Sequence, residues 1–186
     1  MKTLLLCLLV TSFSVLAQDQ KNNTSKNSYI DQEFKKVFEI FMSGRYAKAL
    51  DGLKTIEAAL ASQKDVSNYS KGFLFYWKGV SAVKAQEFDE AIQNFKWAIE
   101  MGYTPDDVYY ELAQAHYISE KLEDARNAFK ESAKRKYKTA VSLYYVAFLS
   151  QQLGEVKKAV NIYKVIDKLP EEEKVRFRVF VLESGS

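Results

Sequence analysis

The sequence predicts an all-helical protein built as a solenoid of antiparallel helix hairpins, and two observations carry that prediction. Ala91, Ala125 and Ala159 recur at an interval of 34 positions, and each is followed four positions later by an aromatic residue: Phe95, Phe129 and Tyr163. Gly79, Ala113 and Ala147 stand twelve positions before the three alanines. Small residues at two fixed points of such a unit mark where the helices of a hairpin come closest, and a period of this size belongs to stacked helical repeats. Composition agrees. The chain is 47% hydrophobic and 14% aromatic with only two prolines and seven glycines, which suits a well-buried domain with few helix breakers.

The N-terminus reads as an export signal. Met1-Lys2-Thr3 gives a basic tip, Leu4 to Leu16 a short apolar-rich core, and Ala17 the small residue before polar Gln18. Residues 1–17 are therefore expected to be removed after Ala17, leaving a periplasmic or extracellular protein. The apolar run is too short for a stable membrane span, which needs about 20 residues. Cys7, the only cysteine, leaves with the signal, so packing rather than disulfides must hold the mature chain together. Losing Lys2 also brings the formal net charge of +3 closer to zero. Such a balance lacks the concentrated positive field of a nucleic-acid-binding protein.

Residues 18–29 open with the polar run Gln18 to Ser28 and read as a flexible tether, because they lack the large apolar groups that would offset ordering. Helical periodicity starts at Tyr29 or Ile30 with Phe34, Val37, Phe38 and Phe41. It breaks at Ser43-Gly44 and resumes from Tyr46 through Ala49, Leu50, Leu53 and Ile56. Ala49 precedes Ala91 by 42 positions instead of 34, so the excess must lengthen a helix or swell a loop between Ala61 and Lys71. Helices are then expected over Gly72–Lys84 and Phe88–Met101, over Asp106–Ser119 and Leu122–Arg135, and over Ala140–Gln152 and Val156–Leu169. Gly102 suits a helix stop, and Thr104-Pro105-Asp106 a cap with a first-turn proline. Pro170 and Glu171 to Glu173 open a last element with an acidic first turn. Its continuation, residues 175–182, fits a capping helix, while the alternation Arg176-Phe177-Arg178-Val179 also fits a strand.

These units resemble the tetratricopeptide repeat, whose first helix carries an aromatic, leucine, glycine and tyrosine and whose second carries alanine and phenylalanine before a closing proline. The matching positions are Phe75, Lys78, Gly79, Ala82, Ala91 and Phe95; Tyr109, Leu112, Ala113, His116, Ala125 and Phe129; and Leu143, Val146, Ala147, Ser150, Ala159 and Tyr163. A degenerate first copy keeps Val37, Tyr46, Ala49 and Leu53, so the resemblance covers about residues 30 to 171. It implies a right-handed solenoid over residues 30–186, with about four units and a C-terminal capping element, used as a scaffold for peptides or proteins. Three departures stand out. Tyr103 and Tyr137 occupy the proline position, Pro170 comes one residue early, and Lys78 replaces the usual leucine.

Catalysis has little to work with. After removal of the signal the chain has no thiol, and its one imidazole, His116, falls on the packed side of its helix. There is no glycine-rich phosphate loop, no metal-ligand spacing and no implied cofactor. The basic run Lys130, Lys134, Arg135, Lys136 and Lys138 ends a helix, where lysines complement the dipole, and reads as a solvated end.

The informative surface is the other face of the first helices, formed by the second, fifth, ninth and twelfth positions of each unit. Nine of its sixteen residues are aromatic: Phe34, Phe38, Phe41, Phe73, Tyr76, Tyr110, Tyr117, Tyr144 and Phe148. Trp77 flanks them. An aromatic excess on the inner face of a solenoid points to an interface, so Phe34, Phe38, Phe41, Tyr76, Trp77, Tyr110, Tyr117, Tyr144 and Phe148 are the expected partner-binding residues, Phe73 being set aside. Phe34, Tyr76, Phe38 and Val80 occupy columns where some family members carry a lysine and asparagine clamp for carboxylates, so an acidic chaperone tail is not expected. The sequence thus predicts a non-enzymatic exported adaptor for a protein or peptide. The alternatives are a homo-oligomer assembling through the same face and a binder of glycans or small molecules.

Overall fold

A computed structural model describes residues 24–61 and 67–174, and among these every regular element is helical. The eight long helices are α1 (Thr24–Met42), α2 (Tyr46–Ala61), α3 (Asn68–Lys84), α4 (Phe88–Glu100), α5 (Val108–Ile118), α6 (Leu122–Lys134), α7 (Thr139–Gln152) and α8 (Val156–Ile166). They form four hairpins in which each helix packs chiefly on its neighbours in sequence. Glu171–Lys174 begin a further helical turn after Pro170. The export signal, the first part of the tether and the choice between helix and strand at 175–182 lie outside the described residues.

The period is visible in the turns. Gln86, Glu120 and Gly154, each 34 positions after the last, all have positive φ (65°, 58° and 81°) and close the first helix of their hairpins. The same pair of hydrogen bonds surrounds each: Glu87 N to Ala82 O and Gln86 N to Val83 O, then Lys121 N to His116 O and Glu120 N to Tyr117 O, then Glu155 N to Ser150 O and Gly154 N to Gln151 O. A left-handed residue at this point lets the last carbonyls of a helix find donors while the chain reverses. Gly44 does this for the first hairpin, and Gly102 and Lys136 do it between hairpins.

Packing follows the small residues. Ala91, Phe95, Ala113, Ala125, Phe129 and Ala147 are fully buried. A Cβ added to Gly79 would lie 2.7 Å from the Phe95 ring, so α3 and α4 touch there through a residue with no side chain. Burying each phenylalanine contributes about 2–3 kcal/mol, which makes the repeated alanine–phenylalanine pair the main adhesive of a hairpin. The core divides into a large cluster running from α2 to α7 and a smaller one around Ile30, Val37, Ala49, Leu53, Ile56 and Leu74, with Trp77 packed against both.

Two expectations need correction, and one open alternative is resolved. α1 begins at Thr24, inside the stretch read as tether, because an established helix extends into polar residues at only a few tenths of a kcal/mol each. α5 begins at Val108 rather than Asp106, after a turn closed by Val108 N to Pro105 O, and the Asp107 carboxylate makes no capping bond there. The excess between the first two units lies partly in α2, which has 16 residues against 13 in α4 and α6. Lys78, the anomaly at the leucine position, is 4% exposed and reaches Glu57 Oε2 at 2.6 Å, so an ion pair between α2 and α3 replaces an apolar contact.

Candidate binding groove

The aromatic face is split lengthwise. Its second and fifth positions are covered in the middle of the solenoid: Phe73, Tyr76, Tyr110 and Val141 are 5%, 8%, 2% and 6% exposed. Its ninth and twelfth positions stay half-exposed at Phe38, Phe41, Val80, Val83, Gln114, Tyr117 and Phe148. Tyr76 and Tyr110, expected as partner anchors, are therefore interior residues. Phe34, Phe38, Phe41, Trp77, Tyr117, Tyr144 and Phe148 keep part of their surface in solvent.

The cover comes from the two tyrosines that stand in place of prolines. Tyr103, in the turn after α4, packs on Phe73 and Tyr76 with ring centroids 5.5 and 5.6 Å apart. Tyr137, in the turn after α6, packs on Tyr110 at 5.8 Å. The next residue at this interval is Glu171, which brings no ring, and Tyr144 is half-exposed. The signature's two missing prolines were the available signal, because a proline there cannot reach over the neighbouring helix as a tyrosine can.

The open half contains two aromatic clusters. In the first, Phe38 and Phe41 meet Trp77 edge-on at 5.2 and 5.7 Å, with Phe41 also against Tyr46 at 5.1 Å. In the second, Tyr144 lies over Phe148 at 6.3 Å, and Tyr117 contacts Tyr145 at 5.8 Å and Phe148 at 6.5 Å. Val80, Val83 and Gln114 occupy the same open positions on α3 and α5 between them. Met42 and Ile118, at the ends of α1 and α5, are 39% and 52% exposed and extend the apolar surface beyond the aromatic set. Each follows a residue of the twelfth position, so a one-residue wider reading of the helical face would have included them.

Below the open half lies a polar seam. The Tyr76 hydroxyl donates to Asp107 Oδ2 at 2.8 Å, and burial holds both that carboxyl and Glu111 above the usual carboxylate range. Burial likewise pushes the Tyr137 hydroxyl up to about 12. Lys138 lies 4.1 Å from the Tyr110 ring and 5.5 Å from that of Tyr137, partly offsetting the acidic charge. Arg135 stacks on Tyr109 at 4.5 Å and pairs with Glu131, in keeping with a solvated helix end. His116 is 3% exposed, with Nδ1 4.0 Å from Asp124, and belongs to the hairpin interior rather than the groove. No described helix is long and apolar enough to cross a membrane.

The sequence matches no protein-family model and no curated protein. Solved structures do match. A crystal structure of MamA superposes with a TM-score of 0.64 at 18% identity, covering 80% of this chain and 76% of that one. A MamA fragment from Desulfovibrio magneticus RS-1 gives 0.61 at 14% identity, covering 75% of each chain. YrrB, described as a TPR protein with an unusual peptide-binding site, gives 0.63 at 14% identity, covering 82% of this chain and 75% of its own. At these identities the likeness establishes the fold: the chain is a solenoid of tetratricopeptide-repeat type.

Proposed function

With that fold as the premise, we propose that the protein is an exported, non-enzymatic scaffold that binds a peptide or protein segment in the open half of its aromatic groove. One observation supports this above the rest. Two clusters of half-exposed rings, joined by valines and extended by exposed Met42 and Ile118, leave apolar surface in water on a chain that buries Phe73, Tyr76, Tyr110 and Val141 of the same face. An apolar surface kept open in this way marks an interaction site, and partly exposed aromatic rings are effective anchors. The export signal read in residues 1–17 supports a partner in the periplasm or outside the cell.

The test uses Phe38, Tyr117 and Phe148, which are open, rather than the buried tyrosines. Peptides selected from a displayed random library on the wild-type protein are measured against the triple variant Phe38→Ser, Tyr117→Ser, Phe148→Ser. Anchors worth about 2 kcal/mol each predict at least ~30-fold weaker binding for every one removed, with helix content retained. Selected peptides that bind the folded triple variant as tightly as the wild type overturn the groove. Sedimentation separates the self-assembly reading, in which the wild type is dimeric or larger and the triple variant monomeric.

A further inference from the structure

One carboxylate beside the groove lacks a direct partner. Glu111 lies in the first turn of α5, half-buried, and burial holds its carboxyl above the usual carboxylate range. Among the described residues no hydrogen bond or ion pair reaches that carboxylate, whereas Asp107 accepts from the Tyr76 hydroxyl. Lys84 and Lys138 moderate the charge of Glu111 through space without pairing with it, and Lys138 is held over the rings of Tyr110 and Tyr137.

Its equivalents in the neighbouring units are aromatic. Trp77 stands one period, 34 positions, before Glu111 and Tyr145 one period after it, and all three are half-exposed. The hydrogen bond from Tyr76 to Asp107 ties α3 to the start of α5, and Tyr117 of α5 meets Tyr145 of α7 at 5.8 Å, so α5 lies between the other two helices. One position of the repeat therefore runs ring, carboxylate, ring across three successive units, with a ring from each aromatic cluster on either side of the charge. An acid in a first turn complements the helix dipole, but α3 and α7 form without one, so the dipole alone does not require Glu111.

We propose that Glu111 determines the specificity of the groove by receiving a lysine or arginine side chain of the bound segment, whose apolar side chains lie on the aromatic clusters to either side. This rests on the groove reading above and names the chemistry of its occupant. A half-buried carboxylate without a donor favours a ligand that brings one, and aromatic rings on both sides favour a cation among the possible donors. An acidic segment would meet Glu111 and Asp107 as like charges, and a wholly apolar one would cover the carboxylate and leave it unpaired. A basic residue flanked by apolar ones satisfies the rings and the charge together.

Selection from one displayed random peptide library, on the wild type and on Glu111→Gln, tests this. Glu111→Gln keeps the shape of the side chain and removes its charge. The wild-type pool is expected to be enriched in lysine or arginine between apolar residues, and the Glu111→Gln pool to lose that enrichment while keeping the apolar residues. In the tightest wild-type binder that carries such a residue, replacing it by norleucine is expected to weaken binding about ten-fold or more on the wild type and less than about two-fold on Glu111→Gln, read by fluorescence anisotropy. Equal basic content in the two pools, or equal losses on the two proteins, overturns the proposal. So does a peptide weakened by Glu111→Gln but indifferent to norleucine, which would assign a neutral donor to the carboxylate. If in any of these cases the peptides still depend on Phe38, Tyr117 and Phe148, the groove stands without its cation. Peptides that bind the folded triple variant unweakened, or a library that yields no binder, overturn both readings.

Discussion

The Tyr76 hydroxyl and the Asp107 carboxylate, 31 residues apart, are joined by a 2.8 Å hydrogen bond that ties α3 to the residue preceding α5. The Tyr76 hydroxyl has little access to another partner in open water, since Tyr76 is 8% exposed, while Asp107 is half-buried. Tyr76→Phe keeps the ring and removes the donor. The expected loss is about 1.5–3 kcal/mol in urea unfolding, the range for a hydrogen bond to a charged group.

Glu111 gives a pH signature. Burial raises its carboxyl above the unfolded value, reinforced by Asp107 and opposed by Lys138 and Lys84. The folded state therefore favours the proton, and this contribution is complete below the ordinary glutamate range and is lost as pH rises through the folded value. Glu111→Gln is expected to be more stable than wild type at pH 7. The difference should vanish near pH 4, and a constant difference across a pH series of unfolding curves would contradict it.

His116 behaves in the opposite sense. Burial lowers its affinity for a proton, and the neighbouring Asp124 restores part of it. The unfolded imidazole takes up its proton near 6.5 while the folded one resists, so stability is full above that pH and declines as pH falls toward the folded value. His116→Gln is expected to flatten the slope of stability against pH just below 6.5. Equal slopes in the two proteins would contradict the prediction.

Gly79 and Phe95 test the helix crossing. A methyl group at Gly79 would lie 2.7 Å from two ring carbons of a fully buried phenylalanine, which has little room to move. Gly79→Ala is expected to lower stability by about 1–3 kcal/mol despite the better helix propensity of alanine. A thermal midpoint at or above that of the wild type would show that the crossing adapts.

Lys136 tests the turns. Its φ of 62° occupies the left-handed region, where Gly102 stands one period earlier. Lys136→Gly is expected to gain up to about 1 kcal/mol by relieving that conformation, less the added entropy of the unfolded chain. Chemical denaturation measures the sign directly.

The hairpins were legible because their cause is local and repeated: a small residue where helices cross, an aromatic four positions after it, and a reversal at a fixed distance. Helix ends were less so, and α1 and α5 show why. Thr24 to Ser28 have weak intrinsic preferences that an adjoining helix overrides, and Asp107 forgoes capping for a hydroxyl that approaches from α3. The groove was legible as a face but not in its depth. Whether Tyr110 is an anchor or an interior residue depends on Tyr137, 27 positions away, a relationship that periodicity along one helix does not contain.

The recurrence of one reversal at a constant interval, at Gln86, Glu120 and Gly154, makes the units interchangeable along the chain. Excising or duplicating one whole period joins equivalent backbone conformations, so helices are neither cut nor rotated; only the side chains at the new seam must adjust, as Arg126 and Glu155 do now at 2.6 Å. Such a chain can lengthen or shorten its proposed binding surface in whole units while one core runs on from hairpin to hairpin, and the reach of that surface becomes a property set by copy number.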